Sequence, residues 1–566
     1  MKKLLAVLLA LLMVVPFFSM QTFALDIEIW GEEDEWLGDF VEFEKDGIIY
    51  WGVEEDEVYV FGYSAEVEEG ETEELVIPSK VKDGRTKYTV TGIMEDAFAE
   101  SHYSKITLPD SIEYIGSYAF WGSAMLEEVV IPDTCEFEGF GLDVFTGAPA
   151  ESKFFEKDVN VIGKNVLYSY IGNKKSFEIP ENVTILAPAC FMFSGIEKVT
   201  FNESITEIPD FAFCGCSNLK EFAVPDTVSY IGEAAFKDCI NLKKVTLGKE
   251  VSYLGLGCFA NTKIETLHLG KFVEYADGAF MNCPNLKEVT VDKNNEVFYT
   301  DKNALYSVFE WYDDYEEIEY REDSLVYYFG KNTAESFTVS KNVNYISDYA
   351  FYNCKTLKHI NMPDVFFIGA KAFANSSLES FDLKTEYSDC FVGQAAFNNC
   401  KNLKKADLTH ADTIDYAAFE NCTSLKDVTF NEYVSLIDGL AFSNTALESV
   451  EIYGDESYIG EDVFKGCKNL KTVVFGDGVW WIDSNVIRDC EKIETVYLSK
   501  TIEEFGENAF QNCEHVKFQL IKGSDAYDYI KDLDYDFEVV GRLSFFEMIS
   551  KFFRNLIETI FGWFYW

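Results

Sequence analysis

The chain has 566 residues, with 98 acidic against 47 basic side chains and a formal net charge of −51. A surface this negative repels phosphate backbones and argues against nucleic acid as a partner. The length exceeds what one globular core reaches, and only an array whose core grows in one dimension escapes a split into several domains.

Residues 1–24 read as a secretory signal peptide, with Lys2 and Lys3 ahead of an apolar run from Leu4 to Phe18 and small residues at Thr22 and Ala24. Cleavage is expected after Ala24, and the run is short for a membrane span. Residues 25–74 form an acidic N-terminal segment. Within it, 39–63 read as a capping hairpin with strands at Gly47-Ile48-Ile49-Tyr50 and Val58-Tyr59-Val60-Phe61.

From Phe98 to Phe510 an Ala-Phe pair, or a close variant, returns about every 23 residues. The gaps are 21 to 25 residues apart from two of 46 and 71, close to two and three periods. Such a period marks a solenoid, in which each unit buries its apolar face only against its neighbours. In the unit from Phe213 to Phe236, the segment Leu219, Phe222, Val224 reads as a short strand, one per coil, stacking into a long parallel sheet. Pro225-Asp226 makes a turn. Val228 and Ile231 mark a second, shorter extended piece, and the Gly-x-Ala-Ala-Phe-x-x-Cys stretch reads as one or two helical turns. Residues 146–176 and 292–340 lack the anchor pair. Each holds an Asn-x-Leu-Tyr core, at Asn165–Tyr168 and Asn303–Tyr306, and reads as a strand hairpin in place of the helical turn. The second carries an acidic aromatic tip from Trp311 to Glu317. About 22 coils stacked like this would reach on the order of 100 Å.

Residues 521–541 read as a C-terminal cap, a short helix and a closing strand at 537–540. Residues 542–566 read as an amphipathic aromatic helix. Ser544 and Glu547 have capping-box spacing, and Glu547, Lys551, Arg554 and Glu558 share one face opposite Phe and Ile residues. Three destinations suit it: a membrane interface, a second copy of the chain, or the solenoid itself. The zero net charge of the helix weakens the first, and the charged stripe argues against a spanning helix.

Nine of the 14 cysteines sit three residues after an anchor, where other repeats carry Ser, Thr or Ala. The column selects small size and reads as a buried ladder, with disulfides between neighbours as the alternative. No CxxC pair offers a zinc site. Gly255–Ala260 fits a dinucleotide fingerprint only through the repeat's own columns, and Asp532–Asp536 lacks the glycine of a calcium loop. No cofactor, metal or catalytic residue is expected.

Two surfaces remain as candidate binding faces. The outward columns of the first strand are mixed and polar, for example Glu221, Lys244, Thr266 and Glu288. An aromatic column lies two residues after the Val of Val-x-x-Ile. It supplies the candidate binding residues Tyr230, Tyr253, Tyr275, Tyr345 and Tyr458, with Trp480 beside Trp481. Stacked rings on successive coils would stabilise the array. A platform for sugars or for a protein partner is the competing reading.

Runs such as Ile231-Gly232-Glu233-Ala234-Ala235-Phe236-Lys237-Asp238-Cys239-Ile240-Asn241-Leu242 resemble the BspA-like leucine-rich repeats of bacterial surface and secreted proteins, over roughly residues 75–520. The resemblance implies an α/β solenoid, a curved right-handed leucine-rich-repeat superhelix with a long parallel sheet and short helical turns. It also implies an extracellular or cell-surface location and a binding or adhesive role without catalytic residues. The expected function is therefore non-enzymatic capture of a protein or glycan ligand. The alternatives are a structural surface-layer component or an unrecognised hydrolase.

Overall fold

The computed structural model describes residues 41–54, 56–64, 73–312, 318–330, 334–383, 385, 389–510, 513, 515–533, 535–544, 547–549 and 551. The segment read as a signal peptide, the tip at 313–317 and residues 552–566 lie outside the described residues.

Each coil supplies two strands. In the strand Glu221–Ala223 the side chain of Phe222 turns inward while Glu221 and Ala223 stay exposed, and Phe222 pairs in parallel register with Val245 of the next coil. The second strand, Tyr230–Ile231, pairs with Tyr253–Leu254, again with the aliphatic residue buried. Period-two alternation thus sends one residue of each strand to the core and one to solvent. The two faces differ in continuity. First-strand residues form six separate sheets of two to five strands, whereas second-strand residues join an 11-stranded sheet from Phe298–Asp301 to Glu504–Phe505. The long sheet expected of the first strand is therefore built from the shorter one. It runs on through the departure at 292–340, where Ile318–Tyr328 pairs in parallel with Val343–Ile346 of the next coil.

The anchor phenylalanines stack down the centre. Phe351, Phe373, Phe397, Phe419 and Phe442 follow one another at ring-centroid distances of 4.8, 5.0, 4.9 and 5.3 Å, within 11° of parallel. All are fully buried.

The turn around each anchor is where the structure departs from the expected helix. Ala234 and Asp238 flank Phe236 with φ of 51° and 59°, and the same left-handed pair recurs in nearly every coil. Left-handed residues stop a helix from propagating and leave tight turns, such as Lys237 N–H to the Ala234 carbonyl at 3.0 Å. The released amides bond along the solenoid. Ala234, Phe236 and Asp238 donate to the carbonyls of Leu256, Cys258 and Ala260 on the next coil at 2.9, 2.7 and 2.9 Å. Asparagine favours the second left-handed position because it tolerates that conformation. Its amides form a ladder of their own, Asn353 to Asn282 to Asn261 to Asp238. Helix is correspondingly scarce among the described residues: the α-helix Asp525–Asp532, the 3-10 segment Pro149–Phe155 and helical residues at 547–549 and 551.

All 14 cysteines are buried as thiols. Their column does more than select small size. Cys216, Cys239, Cys422 and Cys467 each donate to the carbonyl of the anchor phenylalanine one coil back, at 3.0 to 3.2 Å. Ser123 makes the same bond to the Phe98 carbonyl at 2.7 Å. Burial pushes the Cys216 thiol up to about 11, which keeps it protonated and able to donate. The column takes a small side chain, and at every position but Ala148 that side chain is a hydrogen-bond donor.

The two departures from the period divide the core into three segments. The hairpin Val159–Ile162 with Val166–Tyr170 lies at the first joint. Val166 packs into the N-terminal core, and Leu167 and Tyr170 pack into the middle one. The hairpin Ala304–Tyr312 with Ile318–Tyr328 forms the second. Leu325 and Tyr328 face the C-terminal core while Val326 and Tyr327 face the middle one. Tyr327 meets Phe280 at 5.5 Å and Tyr328 stacks on Phe351 at 5.1 Å, so tyrosines fill the missing anchor places. At the N-terminal end, strands Glu42–Lys45, Ile48–Glu54 and Glu57–Tyr63 run antiparallel, and the third joins Thr86–Ile93 in parallel. At the other end, Phe537–Arg542 closes on Lys517–Lys522, over a helix capped by the Ser524 hydroxyl.

Two measurements check this packing. Cys422→Ala should cost about 1 kcal/mol in urea unfolding and Cys422→Ser should recover most of it, against ~3–5 kcal/mol for Phe397→Ala. Equal losses for the Ala and Ser variants would show that the donor is irrelevant. Glu151 sits beside the first joint, and burial, aided by the Asp143 carboxylate and opposed by the Gly147 N–H, raises it from 4.5 to about 7. The fold therefore favours the protonated acid. Stability is fully present below the unfolded value and falls as pH rises through about 7. Glu151→Gln should raise Tm at about pH 8 and leave it unchanged at about pH 4; an unchanged Tm at the higher pH would contradict this burial penalty.

Candidate binding surfaces

The aromatic column is real as a register feature. Tyr230 pairs with Tyr253 and Tyr253 bridges to Tyr275, with ring centroids 4.9 and 4.8 Å apart and planes within 12°. Farther along, Tyr345, Phe367 and Phe391 occupy successive strands at 5.3 and 4.9 Å. Tyr458 pairs with Trp481, their rings 6.0 Å apart and tilted by 39°, and Trp480 meets Trp481 edge-on at 5.7 Å. The column does not form one platform. Thr413 and Leu436 occupy the register between Phe391 and Tyr458, and the second joint separates Tyr275 from Tyr345. The candidate residues therefore form three islands.

A fourth island forms around Tyr114, which the column spacing also includes, and Tyr59, which it does not. Tyr59 and Tyr114 stack at 5.5 Å although Gly92 lies between them in the sheet. A Cβ on Gly92 would lie 2.7 Å from the Tyr59 ring, and one on Gly139 2.7 Å from the Tyr114 ring. Rings lean over bare backbone here, and the glycines alternating with tyrosines were the available signal.

Within an island the ring faces are engaged with one another, so solvent meets mostly edges and hydroxyls. The end ring is different: Tyr275 is 40% exposed and closes its island. Carboxylates fringe these rings. Asp210 accepts the Glu233 N–H at 2.6 Å, and burial raises both acids. Asp277, next to Tyr275, rises to about 6 through burial and the Asp348 charge, against a bond from the Ser347 hydroxyl. Burial, then the Asp277 charge, pushes the Tyr275 hydroxyl up to about 12. At the third island the Tyr458 hydroxyl donates to Asp483, and Trp480 Nε1–H points at Glu503 from 3.4 Å. The Trp481 indole N–H is buried without a hydrogen-bond partner among the described residues.

The first face is polar and stitched between coils by exposed ion pairs such as Lys287–Glu265, Lys358–Glu335 and Lys404–Glu379 at 2.7 to 3.0 Å. Such pairs stabilise little individually. His268 Nδ1 lies 2.9 Å from the Thr290 hydroxyl on the same face.

The opening of the C-terminal helix forms the capping box that its sequence requires. Ser544 N–H donates to Glu547 at 2.7 Å, and the Glu547 N–H returns to the Ser544 hydroxyl at 3.3 Å. Its charged side faces the last coil. Glu547 pairs with Lys500 at 2.5 Å, and Lys551 reaches Asp525, Asp528 and the Gly523 carbonyl at 3.0, 2.7 and 3.1 Å. Met548 and Ile549 are left exposed. No helix among the described residues is long and apolar enough to cross a membrane.

The sequence profile of the BspA type leucine rich repeat region matches residues 91–220, 206–308, 326–411 and 391–517. Solved structures with a similar chain path include a leucine rich cell surface protein from Faecalibacterium prausnitzii, at 19% identity over 82% of this chain and 94% of that one, with a TM-score of 0.36. The pneumococcal vaccine antigen PcpA matches at 19% over 89% and 99%, also with a TM-score of 0.36. A leucine-rich repeat protein from Eubacterium ventriosum matches at 21% over 62% and 83%, again at 0.36. No curated protein matches. With the profile covering most of its length, and with coils, anchor stack and thiol column in place, the chain belongs to the BspA-type leucine-rich repeat family.

Proposed function

We propose that this is a non-enzymatic extracellular protein, secreted or held at the cell surface, that captures a protein or glycan partner along its solenoid. The observation that carries the reading is the repetition itself. Every coil presents the same outward columns, so the chain offers an extended surface of variable polar and aromatic side chains. Among the aromatic islands, the end ring Tyr275 is the best placed to contact a ligand, because one of its faces is not covered by a column neighbour. Tyr230, Tyr253, Tyr345, Tyr458, Trp480 and Trp481 contribute edges and hydroxyls. Tyr275→Ala should weaken capture of array glycans or protein ligands more than it lowers Tm, whereas Tyr253→Ala, stacked on both sides, should do the reverse. Equal effects of the two variants on capture would retire the end-ring assignment.

A second reading concerns attachment. The first turn of the C-terminal helix turns its charged side to the solenoid, so its apolar side faces away from the last coil. That orientation suits a membrane interface or a second copy of the chain. Deleting 544–566 should move the protein from cells to medium; an unchanged distribution would count against the attachment role.

A further inference from the structure

The regular contour of the coil breaks once near the C-terminal end. The strand Gly454–Ile459 spans six residues, against two for Tyr230–Ile231, and its register slips on both sides. Glu456 adopts φ 57°, and the Ser457 hydroxyl is buried against the Val434 carbonyl. Gly478 has φ 92°, and a Cβ on it would collide with the Gly454 carbonyl. Side chains are thus excluded where the two coils pinch. The result is a groove with two lobes of about 600 and 630 Å³ that share Asp455 and Gly478.

Two tyrosines wall the first lobe. Tyr433 is 58% exposed and Tyr453 is 43% exposed, more than the stacked rings of the column. Tyr453 lies over Gly476, where a Cβ would come within 2.3 Å of its ring. Glu432, Asp455, Glu456 and Asp477 also line the groove, and none forms an ion pair among the described residues. The lysines that line the second lobe are engaged elsewhere, Lys500 with Glu547 and Lys551 with Asp525 and Asp528. Carboxylates alone would be an ordinary solvated face. Here they line a concavity floored by bare backbone and walled by exposed rings, and such surroundings suit a cation in both charge and quadrupole.

We propose that this groove takes an extended basic segment of a protein partner. Lys or Arg side chains would lie between the Tyr433 and Tyr453 rings and the carboxylates of Asp455 and Asp477. The inference rests on the reading of the chain as a binding protein and names the class of partner. Anionic glycans are repelled by the same field, and a neutral glycan leaves four carboxylates uncompensated.

The test uses the full chain and a fluorescent hexa-arginine peptide, with binding followed by anisotropy at low and physiological salt. Asp455→Asn with Asp477→Asn should weaken binding about tenfold, and Tyr453→Ala, which leaves the charge untouched, about threefold. Glu221→Gln with Glu288→Gln on the first face should change it by less than about twofold. Asp455→Lys should abolish the site-specific component while Tm is retained. Equal losses for the groove and first-face pairs would show a diffuse field and overturn the site. Saturable binding of chitohexaose that Tyr453→Ala removes, without peptide binding there, would assign the groove to a glycan. That outcome overturns the basic partner while leaving the capture reading intact, since the latter stands on the separate Tyr275 comparison.

Discussion

The interaction on which the rest depends is the hydrogen bond that leaves one coil's turn and ends on the next coil. A left-handed residue on either side of nearly every anchor denies the turn its own helix. The freed amides of Phe397 and Phe419 donate instead to Ala418 and Ala441. Once the turns are laddered, the coils are held at the spacing of β-strands, and every column is forced into register. The phenylalanines then stack at about 5 Å, the asparagine amides chain together, and the thiols reach back to carbonyls. Each column residue is constrained by the copy of itself on either side, which is why the composition at these positions is so narrow.

The two long insertions do not break this scheme; each adds a strand whose residues serve two cores. Tyr327 and Tyr328 are adjacent in sequence yet pack against Phe280 and Phe351 respectively. On the turn side the coils carrying those phenylalanines still touch, through the bond from Asn353 to Asn282. The joint is thus a wedge, filled in the core and closed at the turn. Nearest-neighbour energetics follow, with damage to one coil felt mainly by its immediate contacts.

Much of this was legible because each position repeats. The period, the anchor residues, the inward and outward alternation and the capping box at Ser544 and Glu547 all follow from spacing. The turn was not read correctly, because Ala-Ala-Phe-x-x-Cys has the apolar spacing of a helix face. The contrary signal was asparagine, aspartate or glycine two residues beyond the anchor, as at Asn261, Asn399 and Asn421, which favours a left-handed bend over a helix interior. The aromatic column was correctly placed in register, but spacing does not tell whether a ring's face is free. Burial of those faces against one another turns most of a candidate platform into structural contact and leaves Tyr275 as an exception. The groove beside Tyr453 escaped notice for the opposite reason. It arises from a single irregular coil, and a reading built on repetition averages such a feature away.

Native-state hydrogen exchange tests the central claim most directly. If the turns are held by bonds between coils, the amides of Phe236, Phe397 and Phe419 should be protected as strongly as sheet amides at Val245 and Val289. Fast exchange at the turns with slow exchange in the sheets would mean that the strands alone hold the coils together, and would contradict the account.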